Sequence, residues 1–168
     1  RSRCPMTPTE ALAYFDTLDP VEIDTMIGDW RGAEVSTGHP MDGMLEATRW
    51  FGKSFQSAET VHPLVHTGLT GKRFYVNPAM LPIKLGMRLG WLRPITPLLF
   101  GLLQPLIATR APKARLRMMQ YRGKLSATMI YDAKPINDVF RKIDKDTVLG
   151  LMDHRGDAHP FFFKLTRL

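Results

Sequence analysis

From residue 116 to residue 165 the chain writes one pattern five times: a short run alternating bulky with small or polar residues, then a tight turn. The runs are 116–121, 125–131, 136–143, 148–152 and 161–165. Arg122 and Gly123 suit a two-residue hairpin, with glycine supplying positive φ. Residues 144–146 suit a slightly longer turn, and 154–158 include the permissive Gly156. Strands joined this way form a meander, whose end strands expose unpaired N–H and C=O groups unless the sheet closes. Three earlier alternating runs, 30–36, 60–66 and 72–76, bring the count to eight. The expected fold is mainly β: a closed antiparallel barrel of about eight strands, just wide enough to hold one small ligand.

Within 125–131, Leu125, Ala127, Met129 and Tyr131 share one face and Ser126 and Thr128 the other, so one side of this strand is dry. A chain of 168 residues fits one domain that needs no metal or disulfide staple. We read 6–168 as that domain, with an N-terminal module over 6–78, a proline-broken insertion over 79–112 and the meander over 113–168. The single cysteine, Cys4, has no partner for an internal bridge, which favours a reducing, cytoplasmic setting. Arg1 to Pro5 carry basic residues without an apolar run, so they are read as neither signal peptide nor fold.

Two short helices are written before the first strand. Thr7, Pro8 and Glu10 form a capped start, after which Leu12, Phe15 and Leu18 share a face. Asp19, Pro20 and Glu22 repeat the signal ahead of Ile23, Met26 and Ile27. Gly28, Asp29, Trp30, Arg31 and Gly32 (GDWRG) open strand one. Met41, Met44, Leu45, Thr48, Phe51 and Phe55 then recur at helical spacing. Trp50 falls off that stripe and is left either as a pocket wall or as a surface shield.

The net charge is +7, yet no Asp or Glu occurs between Glu59 and Asp132, while eleven Lys or Arg lie from Lys72 to Lys124. Within that basic interval the stretch from Met80 to Ile107 is rich in leucine and broken by Pro82, Pro94, Pro97 and Pro105, so it is no single helix. Its charge-free part, Pro94 to Thr109, falls short of the ~18 residues that a bilayer requires. Leu81, Leu85, Leu89 and Leu92 share one helical face, Lys84 and Arg88 another, and Trp91 stands beside Arg93. This is the composition of an interfacial amphipathic helix, and equally of ordinary helices packed as a lid over an open barrel.

GDWRG, the later RWFGKSF (Arg49 to Phe55), and FRKID followed by LGLMD (Phe140 to Asp144, Leu149 to Asp153) together resemble the GXWXG protein family. There an N-terminal module named for its motif precedes a companion domain of unassigned function. The Gly-x-Trp element is also similar to the one opening the barrels of calycins (the lipocalin and fatty-acid-binding group) and of nitrobindins. That resemblance implies a ligand-binding barrel whose tryptophan plugs the closed end under an arginine. Trp30 is then structural, Gly28 and Gly32 permit close backbone packing, and Arg141 or Arg167 is the candidate cation over the ring.

Catalytic motifs are absent: no Walker loop, GxSxG elbow, HExxH or CxxC occurs. His62 and His66 are spaced four apart, but Pro63 breaks a helix there, so no metal site is read. Asp144, Asp146, Asp153 and Asp157 fall at turns.

The reading preferred is non-catalytic binding of an apolar or amphiphilic ligand, such as a fatty-acyl lipid or phospholipid. It needs no cofactor, and contact with an anionic membrane is expected as ligand enters. Candidate lining residues are Phe74, Leu89, Trp91, Met119, Met129 and Phe140, with Arg88 and Arg93 at an anionic headgroup. The ten methionines suit a pocket that adapts to flexible chains. The nitrobindin likeness implies haem as the alternative, with His159 as axial ligand, and a small-molecule enzyme in the same cavity is a further one. A nucleic-acid interface is disfavoured, because strand-borne aromatics that stack bases do not accompany the basic interval.

Overall fold

The computed structural model describes residues 6–168; Cys4 and the other readings on residues 1–5 lie outside them. In chain order the elements are α1 (Pro8–Thr17), β1 (Asp19–Pro20), α2 (Ile23–Met26), β2 (Gly28–Val35), α3 (Met44–Ala47), β3 (Trp50–Phe55), β4 (Val61–Thr67) and β5 (Arg73–Tyr75). After them come α4 (Ile83–Arg88), α5 (Thr96–Leu102), α6 (Gln104–Ile107), β6 (Ala114–Tyr121), β7 (Lys124–Tyr131), β8 (Ile136–Asp144), β9 (Thr147–His154) and β10 (Phe161–Arg167).

Hydrogen bonds run round the circuit β8-β7-β6-β4-β3-β2-β10-β9, and β9 pairs back with β8. Eight antiparallel strands therefore close into a barrel, drawn from both sides of the helical insertion. The wall is uneven. The hairpin β6–β7 pairs over its whole length, from Ala114↔Tyr131 to Tyr121↔Lys124. By contrast β4 meets β6 at one residue pair, Val61↔Ala114, because the other end of β4 is taken by β5. The insertion leaves from β5 and returns beside it: Val76 bridges Ala108, and Asn77 N–H donates to Ile107.

One end of the barrel is packed solid. Trp30, Phe55, Leu116, Met129, Phe140 and Leu165 are fully buried there, each contributing about 2 kcal/mol of burial free energy. Trp30 Nε1 donates to the Met26 carbonyl at 2.8 Å. The Arg167 guanidinium lies 4.4 Å above the Trp30 ring and donates to the carbonyls of Ile27 and Thr25. Arg167, not Arg141, is thus the cation over the tryptophan. Arg141 stacks 4.7 Å over Phe15 instead, on the outside of the barrel. There α1, begun by the Thr7–Glu10 capping box, buries Ala11 and Phe15 against Val139, Leu149, Leu151 and Phe162.

Two sequence expectations change. The helical spacing from Met41 to Phe55 holds only for α3; Arg49 then takes φ 56°, and residues 50–55 are strand β3. Register shifts in the β3–β4 pairing on both sides of Gly52 break the alternation, so Trp50, Lys53 and Phe55 all face the interior, while Phe51, on the expected helical stripe, stacks against Arg73 instead. β3 takes the place in the circuit expected of 72–76, whose strand β5 lies off it. Secondly, Ser126 and Thr128 are fully buried. β7 and β8 pair through only three residues, 128–130 with 139–137, and residues 19–21 fill the gap. Val21 N–H donates to Ser126 Oγ and Ala127 N–H to the Val21 carbonyl.

The two motif glycines do different work. Gly28 has φ 127°, a conformation that side chains resist. A Cβ on Gly32 would sit 2.1 Å from the Trp50 ring, so this glycine admits the indole into the barrel wall. Gly32→Ala is expected to destabilise the fold by about 1–3 kcal/mol through overpacking. The check is a lowered urea midpoint with an unchanged m-value.

Candidate functional site

Above the packed end the barrel is hollow. A cavity of about 240 Å³ is walled by Trp50, Tyr131, Ile136, Met152, Phe161 and Phe163 from the strands, Met41, Met44 and Leu45 from α3 and the loop before it, and Leu81, Ile83, Gly86 and Phe100 from the insertion. The cavity is apolar except for one cluster. Lys53, 3% exposed, donates to Asp138 Oδ2 at 2.9 Å, to the Pro63 carbonyl at 3.1 Å and to Tyr131 Oη at 3.4 Å. Its Nζ also lies 4.9 Å from the Phe163 ring centre and 5.7 Å from that of Trp50. All three ammonium protons are engaged, and aromatic faces surround the charge.

Local sequence explains each position. Ile136, Asp138 and Phe140 alternate along β8 and share its inner face, so Asp138 replaces an apolar residue on a dry stripe. Tyr131 ends the inner row Ala127, Met129, Tyr131. Lys53 points inward because of the register shift beside Gly52. Burial pushes Asp138 up and Lys53 down, and their mutual attraction opposes both displacements. Burial also holds the Tyr131 hydroxyl well above its ordinary range, so it stays protonated.

His66 completes the polar part of the wall. Its Nδ1 lies 2.8 Å from the Thr48 carbonyl, which fixes the proton on Nδ1 and leaves Nε2 as an acceptor. Phe100 and Phe74 flank the ring at 4.7 and 6.2 Å. Burial lowers its pKa to about 4, against the favourable bond to Thr48. Three polar atoms of the cavity-lining residues have no partner among the described residues: Trp50 Nε1, His66 Nε2 and Asp138 Oδ1. They comprise one donor and two acceptors, and unpaired buried groups of this kind cost about 1–3 kcal/mol each.

None of the eight side chains expected at the ligand lines this cavity. Phe74 lies beside the wall residue Phe100, with ring centres 6.4 Å apart. Met129 and Phe140 are buried in the packed end, and Met119 is half-buried on β6. Arg88 and Arg93 are exposed, Leu89 is half-buried, and Trp91 is 74% exposed on the outside of the insertion. His159 is exposed on the loop before β10 and does not line the cavity, so it is not positioned to ligate a group held there. His62 stacks on Tyr75 at 3.7 Å, and no cluster of three metal-binding side chains exists among the described residues. The signal for Asp138 was legible as a charge on an apolar stripe. Lys53 was hidden by the irregular register of β3.

His66 makes the fold acid-sensitive in a defined window. Its folded pKa lies below the unfolded value, so the unfolded chain binds more protons between about pH 6.5 and 4. Its contribution is complete above that window and is lost as pH falls through it. Stability from urea titrations at pH 7.5 and 4.5 is expected to drop by about 2–3 kcal/mol more in the native protein than in His66→Gln.

Residues 13–74 match the family described as GXWXG protein, and residues 112–167 match the one described as Domain of unknown function (DUF4334). A crystal structure of a protein from Thermomonospora curvata is similar at 31% identity and a TM-score of 0.72, over 95% of this chain and 86% of that one. No curated protein matches.

Proposed function

The chain belongs to the GXWXG protein family, and we propose that its barrel binds one apolar or amphiphilic small molecule, of the fatty-acyl or phospholipid kind, with a polar group turned inward to Lys53, Asp138 and Tyr131. The observation that carries this reading is an apolar cavity of about 240 Å³ whose single polar cluster is buried and incompletely paired. Apolar walls supply affinity at about 0.8 kcal/mol per methylene, and the few polar groups set orientation. The insertion closes the cavity and is held down by Lys134 Nζ, which donates to the Leu81 carbonyl at 3.1 Å.

Gly86 lines the cavity from α4, where a Cβ would meet only the flexible end of Met44, at 3.3 Å. Gly86→Phe therefore fills the cavity while favouring the helix. Native mass spectrometry after gentle purification is expected to show a bound apolar mass in the native protein and about tenfold less occupancy in Gly86→Phe. Protein that comes out empty and takes up no lipid from vesicles refutes the reading.

The partner that delivers such a ligand is an anionic membrane surface. Trp91, Leu98, Leu102 and Leu106 of the insertion are 54–74% exposed, more apolar surface than isolated exposed leucines account for. Lys84, Arg88 and Arg93 are exposed on the same insertion, and cations of this kind attract lipid phosphates. A second copy of the chain is the poorer occupant, since the interval from Glu59 to Asp132 holds no carboxylate to answer those cations. No helix among the described residues is long and apolar enough to cross a bilayer, which suits contact at the interface. Co-sedimentation is expected with phosphatidylglycerol vesicles, weakly with phosphatidylcholine, and to be lost in Leu102→Glu/Leu106→Glu. Equal binding by that variant contradicts the docking face.

A further inference from the structure

A buried ion pair that served the fold alone would satisfy all its oxygens, yet Asp138 uses only Oδ2 toward Lys53 and leaves Oδ1 unpartnered. Beside it are two proton donors suited to a carbonyl oxygen. Tyr131 keeps its own proton free, because Lys53 donates to the phenol oxygen. Trp50 Nε1–H has no acceptor. Base and phenol both lie within 3.4 Å of Lys53 Nζ, and the indole ring centre lies 5.7 Å from it, so the three groups gather on one side of the cavity, with Oδ1 and Nε1 buried in its wall. The remaining wall is hydrocarbon and aromatic. This combination of a desolvated carboxylate with neutral donors matches proton abstraction beside a carbonyl better than hydrolysis or group transfer.

We infer that the cavity catalyses enolisation of an apolar ketone or aldehyde, with Asp138 as the base and Tyr131 and Trp50 as donors to the carbonyl oxygen. Asp138 Oδ1 takes the proton from the carbon next to the carbonyl, and the C–H electron pair forms the new C=C bond. The C=O π pair moves onto oxygen, where the two donors stabilise it. Asp138 then returns the proton, either to the same carbon or, in a β,γ-unsaturated ketone, to the γ carbon, which shifts the double bond into conjugation. No oxidant, reductant or second substrate enters. Lys53 is a positioning residue: it holds Oδ2, keeps the carboxylate ionised despite its burial, and polarises the Tyr131 hydroxyl. Burial raises the basicity of Asp138, which favours the transfer.

This activity rests on the ligand-binding reading, and one experiment separates the two. The probe is dec-4-en-2-one, an apolar β,γ-unsaturated ketone, with conversion to the conjugated enone followed by ultraviolet absorbance and uptake by native mass spectrometry. The full chain is expected to speed conversion at least 100-fold over buffer. Tyr131→Phe should lower kcat about 100-fold with little change in KM. Asp138→Asn should return the rate to that of buffer, and Lys53→Met/Asp138→Asn, which removes both buried charges together, covers the case in which the single variant does not fold. Uptake of the ketone with conversion at the buffer rate, or undiminished conversion by folded Asp138-substituted protein, overturns the activity and leaves ligand binding standing. Absence of uptake of this ketone by a protein that binds lipid also overturns the activity; absence of uptake of both removes the binding reading as well.

Discussion

The first and last barrel strands meet through Trp30 and Arg167, which are register partners in the β2–β10 pairing. The indole fills the narrow end and the guanidinium caps it, reaching back to the carbonyls at the end of α2 and just beyond it. This contact ties the last barrel strand to the first in register and seals one end against water. A sealed end lets the opposite end be hollow: the packed layers of Phe55, Phe140 and Leu165 carry cohesion, so the upper barrel can forgo it. The two glycines of GDWRG serve the same arrangement, one by bending the chain into the strand and the other by admitting Trp50 across the wall.

The polar cluster sits at the boundary between these two regions. An ion pair moved out of water loses several kcal/mol of hydration per charge, and Coulomb attraction recovers this only with good geometry and further hydrogen bonds. Lys53 has that geometry, with three acceptors and three aromatic faces. Asp138 has half of it. The asymmetry is informative, because stability alone would be served as well by two hydrocarbons of similar volume. The neutral His66, kept as an acceptor by its bond to Thr48, adds a fixed polarity whose retention requires that the ring stay unprotonated.

Much of the fold was legible in the chain. The meander from residue 114 onward, the capped first helix and the role of Trp30 follow from alternation, cap chemistry and family likeness. β3 was not legible, because a register shift destroys period-two alternation, and the spacing of Thr48, Phe51 and Phe55 continues the period of the short helix before it. The cavity walls were less legible still. They combine Trp50, Lys53, Tyr131 and Asp138 with Gly86 and Phe100, residues brought together by closure and by the fold-back of the insertion, neither of which has a local signature. Leucine content drew attention to the outer side of the insertion, whereas its inner side, with Phe100 and Ile83, faces the cavity.

The seam between β4 and β6 gives the barrel an unequal mechanical character. Elsewhere neighbouring strands are zipped over three to eight residue pairs, but here a single pair holds the wall, with the short β5 and the returning insertion laid against the gap. Parting the sheet at this line sacrifices very little hydrogen bonding between strands, although Leu116 N–H also donates across it to the Ala58 carbonyl. The barrel is therefore a ring of seven zipped seams and one clasp, and the Trp30–Arg167 contact belongs to a zipped one.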